Sequence, residues 1–159
     1  MLGTAGDSRA YLVSEGVAEQ LTVDGDVRCT QLANGLPPEQ VPDLGADAFA
    51  LYSCLGVGED GGGGGLVPSR PRSQPRLTSW KLLPGDIVVL CTDGLVEEGV
   101  FLEPTELAAL LSGESDRSAA ELAELLVAAA RSCHREPSPW EPDGCGDDVT
   151  CIVLVVRPG

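Results

Sequence analysis

The sequence predicts an α+β fold with a largely antiparallel sheet. Three features carry that expectation: two short strand pairs each closed by a tight turn, two helical stretches in succession after residue 103, and a β-branched run at the end. Strands, strands, helices and a last strand, in that order, favour segregated elements over the regular alternation of a doubly wound sheet.

The first pair is Ala10 to Ser14 and Val17 to Thr22, joined through Glu15-Gly16 as a hairpin. Residues 23–47 are mixed and rich in Asp, Gly and Pro, with one short helical turn expected after Pro37-Pro38, and Ala48 to Leu55 is apolar enough for a buried segment. Residues 58–76 hold five consecutive glycines at 61–65, three prolines and Arg70, Arg72 and Arg76, the composition of a flexible, solvated loop. Thr78 to Leu83 and Ile87 to Thr92 read as a second hairpin about Leu83-Pro84-Gly85-Asp86, where Pro and Gly occupy the positions a type II turn requires. Leu107, Leu110 and Leu111 then take helical spacing just after Pro104, a residue tolerated in a first helical turn. Ser118 and Glu121 form an S-x-x-E capping box ahead of Leu122, Leu125, Leu126, Ala129 and Cys133 on one helical face. Pro137, Pro139 and Pro142 end the helical region, and Asp148 to Val156 should be a central strand.

Composition narrows the function. Ten Lys plus Arg against 25 Asp plus Glu give a net charge of −15, which excludes a nucleic-acid binder working through a basic stripe. With 43% apolar residues the chain can bury a core. Its longest apolar run, Cys151 to Val156, falls far short of the roughly 18 residues of a membrane helix. The start Met1-Leu2-Gly3-Thr4-Ala5-Gly6-Asp7 has no basic segment or apolar core of a secretion signal, so the cytoplasm is the expected compartment. The six cysteines, at 29, 54, 91, 133, 145 and 151, lack C-x-x-C spacing and are expected as reduced thiols, with Cys91 and Cys151 inside apolar strands.

Two aspartate-centred spots carry chemistry. Asp93 follows the run Asp86 to Thr92 and precedes Gly94, while Asp147 and Asp148 follow Asp143-Gly144-Cys145-Gly146 and open the last strand. Carboxylates at neighbouring strand ends can converge on one point, where hard oxygen donors suit Mg²⁺ or Mn²⁺. Each Asp-Gly is also ordinary turn chemistry.

Gly6-Asp7-Ser8-Arg9-Ala10, Gln20-Leu21-Thr22, Leu82-Leu83-Pro84-Gly85-Asp86, Cys91-Thr92-Asp93-Gly94-Leu95 and Asp147-Asp148-Val149-Thr150 occur in one order. In that order they resemble the metal-dependent serine/threonine protein phosphatases of type 2C, the PPM family, over residues 6–156. The resemblance implies a sandwich of two antiparallel sheets flanked by helices, an α-β-β-α arrangement with a binuclear Mn²⁺ or Mg²⁺ centre. It implies Asp93 and Asp147 as metal ligands and Asp7 near a weaker third metal. Asp148 stands where the family usually has Asn, so the ligand is drawn from the pair Asp147 and Asp148. No catalytic residue beyond the ligands is implied. A metal-activated water would hydrolyse phosphoserine and phosphothreonine proteins without a phosphoenzyme, in keeping with a chain offering no nucleophilic cysteine in a phosphate loop. His134, at the end of a helix, is read as a capping cation. Ala, Gly, Pro and Arg content resembles that of a bacterial, GC-rich source.

The family's early R-x-x-N-E-D and D-G-x-x-G motifs are missing, and the D-H-S that usually follows Q-L-T is replaced by Val23-Asp24-Gly25-Asp26-Val27. Residues 1–159 are therefore expected to be a single partial PPM-type domain, its C-terminal portion, arising by truncation, a mis-assigned start codon or a degraded gene. Half a two-sheet sandwich would expose an apolar sheet face. The alternative is a degenerate, non-catalytic phosphatase-like domain that binds phosphoproteins or a regulatory partner. Two further readings fail on local pattern. Ser8 lacks the strand before and helix after that a nucleophile elbow needs, and Asp24 to Asp26 and Asp143 to Asp148 lack the spacing of a calcium loop. Trp80, on a strand, and Trp140, in a loop, are expected as packing residues. Arg9 is expected as a local polar partner beside a strand.

Overall fold

The computed structural model describes residues 1–33, 35–40, 51, 76–96, 102–132 and 148–159. In chain order the elements are β1 (Leu2–Thr4), β2 (Arg9–Ser14), β3 (Val17–Gln20), α1 (Val27–Ala33), a 3-10 turn (Pro38–Gln40), β4 (Arg76–Thr78), β5 (Ile87–Cys91), α2 (Pro104–Leu111), α3 (Ala119–Ser132) and β6 (Cys151–Val155). They belong to two compact units, one made of Met1–Ser8 and Thr22–Trp80, the other of Arg9–Leu21 and Lys81–Gly159.

The second unit holds a four-stranded antiparallel sheet in the order β3-β2-β5-β6. The expected first hairpin is there: Ser14 faces Val17, and both turn residues, Glu15 and Gly16, have positive φ (51° and 81°), the type I′ geometry that matches strand twist. One sheet face carries Tyr11, Val13, Ile87, Val89, Cys91 and Val153 into a core completed by Leu107 and Leu111 of α2 and Leu122, Leu126 and Ala130 of α3. Burying each of the larger side chains contributes about 1.5–3 kcal/mol. On the opposite face Ile152 and Leu154 of β6 are 59% and 48% exposed.

Both helices start where local sequence says they should. Pro104 opens α2, and the Glu103 amide donates to Glu106 Oε2 at 2.8 Å. At α3, Ser118 Oγ and the Ser118 amide both donate to Glu121 Oε2 (2.7 and 2.9 Å), and the Glu121 amide donates back to Ser118 Oγ at 3.2 Å. The Ser118 hydroxyl and then its amide hold the Glu121 carboxyl below its ordinary 4.5. A carboxylate with a depressed folded pKa contributes stability at pH above its unfolded value, and that contribution is lost as pH falls through the folded one. Ser118→Ala removes the N-cap hydroxyl and by that loss should cost about 1 kcal/mol by urea denaturation at pH 7, while Glu121→Gln should flatten the acid limb of the stability curve below pH 4.5.

The second expected hairpin is corrected. Its turn forms: the Asp86 amide donates to the Leu83 carbonyl at 3.0 Å, Gly85 has φ 98°, and Asp86 Oδ2 accepts from the Leu83 amide at 2.7 Å. The strand before it does not form, since β4 ends at Thr78 and pairs with β1 in the first unit, while Lys81 to Gly85 are exposed. Trp80 accordingly lies off any strand, and Arg76 begins β4 instead of closing the glycine loop. β5 is apolar on both faces and takes β2 and β6 as partners. At the turn, the Val156 amide donates to the Asp86 carbonyl and the Gly85 amide to the Val156 carbonyl, both at 2.9 Å.

The last strand is corrected as well: among the described residues β6 is an edge strand, with two of its β-branched or aliphatic side chains facing out. Leu51, inside the segment expected to be buried, is 45% exposed and bridges Asp26. The rest of that segment, residues 58–75, His134, Trp140 and the three prolines after α3 lie outside the described residues.

Candidate metal centre

The proposed chemistry falls at the end of the sheet where β5 leaves and β6 enters. Thr92 joins the two strand ends. Its amide donates to the Thr150 carbonyl at 3.1 Å, its Oγ1 donates to the Asp148 carbonyl at 2.8 Å, and the Thr150 amide donates to Oγ1 at 3.1 Å. Asp93 follows in a turn closed by the Leu95 amide on the Thr92 carbonyl at 3.2 Å, and Asp93 Oδ1 accepts from the Gly94 amide at 3.1 Å. Its carboxylate is half-buried, and Asp148, across the rung, is exposed. The structure thus brings the chain positions of Asp93 and Asp148 to one sheet end. Asp147 lies outside the described residues.

The far side of the turn is held too. Leu95 and Val96 are buried (0% and 1% exposed). The Leu102 amide donates to the Leu95 carbonyl at 3.3 Å, Val96 bridges Leu102, and the Arg9 guanidinium donates to the Val96 carbonyl. Arg9 is therefore a clamp on the Asp93 turn, reaching a main-chain acceptor that no sequence motif announces. Thr92→Val keeps the side-chain shape and removes both hydroxyl bonds. It should cost about 1–2 kcal/mol and raise amide exchange at Gly94 and Thr150, with Thr92→Ser restoring protection.

Asp7 belongs to the first unit. It follows Gly6 (φ 91°), whose carbonyl accepts from the Gly25 amide at 2.7 Å. The two backbones touch so closely that a Cβ at position 25 would lie 2.6 Å from the Gly6 oxygen. Gly6, which opens the G-D-S-R motif, and the D-G-D segment that stands in place of D-H-S are thereby packed together. On either side of Gly25, Asp24 and Asp26 are each 7% exposed, and one carboxylate oxygen from each lies with Cys29 Sγ in a group no wider than 4.8 Å. Asp26 Oδ1 accepts from the Cys29 amide at 2.5 Å, the N-cap to N3 bond that starts α1. The sequence places only one short helical turn in residues 23–47, after Pro37-Pro38, where the 3-10 turn lies; α1 is additional, and Asp26 is its local signal. The mixed hard and soft donors of this group, one of them already committed to a cap, suit Mn²⁺ or Mg²⁺ less well than the all-carboxylate pair at the sheet end.

A four-stranded antiparallel sheet backed by two helices is a fold shared with PPM-type phosphatases. Solved structures agree. A serine/threonine phosphatase of S. agalactiae superposes with a TM-score of 0.62 at 19% identity, covering 98% of this chain and 53% of that one. A bacterial serine phosphatase gives 0.58 at 18%, covering 99% and 53%. The PPM Ser-Thr phosphatase MsPP from Mycobacterium smegmatis gives 0.57 at 21%, covering 98% and 55%. At these identities the likeness is one of fold, and the chain spans about half the length of each. No curated protein matches the sequence. The family model described as Stage II sporulation protein E (SpoIIE) matches residues 57–157, well over half of the sequence, and the chain belongs to that family. Among the described residues no helix is long and apolar enough to cross a membrane.

Proposed function

We propose that residues 1–159 form the C-terminal part of a single PPM-type domain, and that this domain is a bacterial protein serine/threonine phosphatase. Asp93 and a member of the Asp147–Asp148 pair are its metal ligands here, with Asp7 at a third, weaker position. What supports this most is the Thr92 rung, which fixes the ends of β5 and β6 side by side so that the carboxylates they carry share one edge. The donor set fits a hard divalent ion: two carboxylates, half-exposed and exposed, beside glycine and main-chain carbonyls. Mn²⁺ or Mg²⁺ bound there would supply Lewis-acid activation of a water for attack on a phosphomonoester.

The chain's own residues do the positioning. Thr92 and Arg9 hold the Asp93 turn from its two sides. The Gly94 amide fixes one carboxylate oxygen and thereby aims the other. Buried Leu95 and Val96 keep water from the base of the turn. Phosphoserine and phosphothreonine side chains of proteins are the proposed substrates.

The test is hydrolysis of p-nitrophenyl phosphate and of a phosphothreonine peptide, with Mn²⁺ and after chelation. It is run on this chain and on the chain fused to the first half of a solved PPM relative. Metal-dependent turnover in the fusion, lost with chelator, is the expected result. No turnover in either form, with phosphopeptide binding retained, would establish the non-catalytic phosphatase-like domain instead.

A further inference from the structure

We propose that Cys91 and Cys151 are a latent cross-strand disulfide site beside the Thr92–Thr150 end of the sheet. The two residues face each other directly in the β5–β6 register. The ladder fixes what kind of pair they are. Val156 donates to the Asp86 carbonyl and Thr92 to the Thr150 carbonyl, so hydrogen-bonded pairs recur every second residue from Asp86–Val156 to Thr92–Thr150. Cys91–Cys151 falls between two such rungs, at a non-hydrogen-bonded pair. There the Cα atoms of antiparallel strands stand about 4.5 Å apart, within the roughly 4.4–6.8 Å that a disulfide spans.

Both side chains point to the same face. Cys91 is 6% exposed within the core, and half-buried Cys151 packs against that core, its Sγ donating weakly to the Ala123 carbonyl of α3 at 3.8 Å. Both are in the thiol state. A bond between them would replace the weak contact to Ala123 and would sit one residue from the Thr92–Thr150 rung, tying together the strand ends that carry Asp93 and Asp148.

The oxidant is a low-molecular-weight disulfide. Cys151, the more accessible of the two, attacks one of its sulfurs as the thiolate and expels one small thiolate, leaving a mixed disulfide on Cys151. The Cys91 thiolate then attacks Cys151 Sγ and expels the second. The two protons released by the cysteines end on the two small thiols, so two protein thiols are oxidised as one small disulfide is reduced. Burial pushes the Cys151 thiol up, which makes the first attack slow at neutral pH. The site does not depend on the metal reading, because it rests on the register and the core alone.

The test is incubation of the full chain with oxidised glutathione, under native conditions and in urea, followed by tryptic mapping without reduction. Peptide 82–117 contains Cys91 as its only cysteine, and peptide 136–159 contains Cys145 and Cys151. The expected product is these two peptides joined through Cys151, lighter by two hydrogens, reversed by dithiothreitol and formed in higher yield by the native chain than by the unfolded one. In C91S a glutathione adduct should accumulate on Cys151. A Cys91–Cys151 yield no higher in the native chain than in urea, or a glutathione adduct persisting on Cys151 while Cys91 is present, would overturn the proposal. Fragmentation within peptide 136–159 separates Cys145 from Cys151 in the wild-type chain, so no multiple variant needs to fold.

Discussion

Asp93→Asn should reduce Mn²⁺-dependent phosphomonoester hydrolysis by more than about 100-fold, the upper end of what loss of an outer-shell partner alone costs a metal site. Asparagine keeps the shape of aspartate and can still accept the Gly94 amide through its carbonyl oxygen, so the turn from Thr92 to Leu95 stays closed. What is removed is the charge and one hard donor. The Mn²⁺ affinity should fall with the rate, and urea denaturation separates that loss from any change in stability. Asp148→Asn is the internal comparison: the bond that Thr92 makes is to the Asp148 main chain, which the substitution leaves intact. An Asp148→Asn loss as large as that of Asp93→Asn would assign the second ligand to Asp148; a small one would leave it to Asp147.

The second large effect is expected from Gly25→Ala. The added methyl would meet the Gly6 oxygen at 2.6 Å and the Gly6 carbon and nitrogen at 3.0 Å. These are backbone atoms in a conformation, φ 91°, that is already committed, so they cannot turn aside as a long side chain would. Overpacking of this kind costs about 1–3 kcal/mol, and the absence of a flexible neighbour puts this case at the upper end. The 2.7 Å bond from the Gly25 amide to the Gly6 carbonyl must lengthen, and with it Asp7 and the Asp24–Asp26 segment move. Urea denaturation should show the loss, and amide exchange should place it at Gly25. Ser8→Ala, at an exposed position in the same motif, should change neither.

How legible the molecule was follows from how local each signal is. α2 and α3 could be read because a proline at a first turn, a capping box and an i, i+3, i+4 spacing all act within a few residues. The β2–β3 hairpin could be read for the same reason, its two-residue turn fixing its own register. β5 was recognised as a strand from Ile87-Val88-Val89-Leu90-Cys91, yet its neighbours were misjudged. The turn at Leu83 to Asp86 looks like a hairpin turn whether or not a strand precedes it, and pairing with β2 and β6 is set by contacts 60 to 82 residues away in sequence. β1 and β4, three residues each, have too little pattern to be seen alone. α1 was missed because its main local sign is one aspartate cap.

The site divides in the same way. Asp93 was legible as a carboxylate at the end of an apolar strand with glycine after it. The residues that fix it were not. Arg9 serves through the Val96 carbonyl, a main-chain acceptor every residue possesses, and Thr92 serves through the Asp148 carbonyl 56 positions on. The close approach of Gly25 to Gly6 explains in hindsight why glycine stands between two aspartates, but nothing in the segment itself names Gly6 as the neighbour.

The central claim is that a divalent ion is held at the Thr92–Thr150 end of the sheet through Asp93. The most direct test is an NMR titration of the chain with substoichiometric Mn²⁺, whose unpaired electrons broaden nearby amides. The Gly94 and Thr150 signals should disappear first, those of Ile87 and Val155 at the opposite end of β5 and β6 should persist, and Asp93→Asn should remove the gradient. Broadening centred on Gly25 and Cys29 with Gly94 untouched, or the same gradient in Asp93→Asn, would contradict the claim.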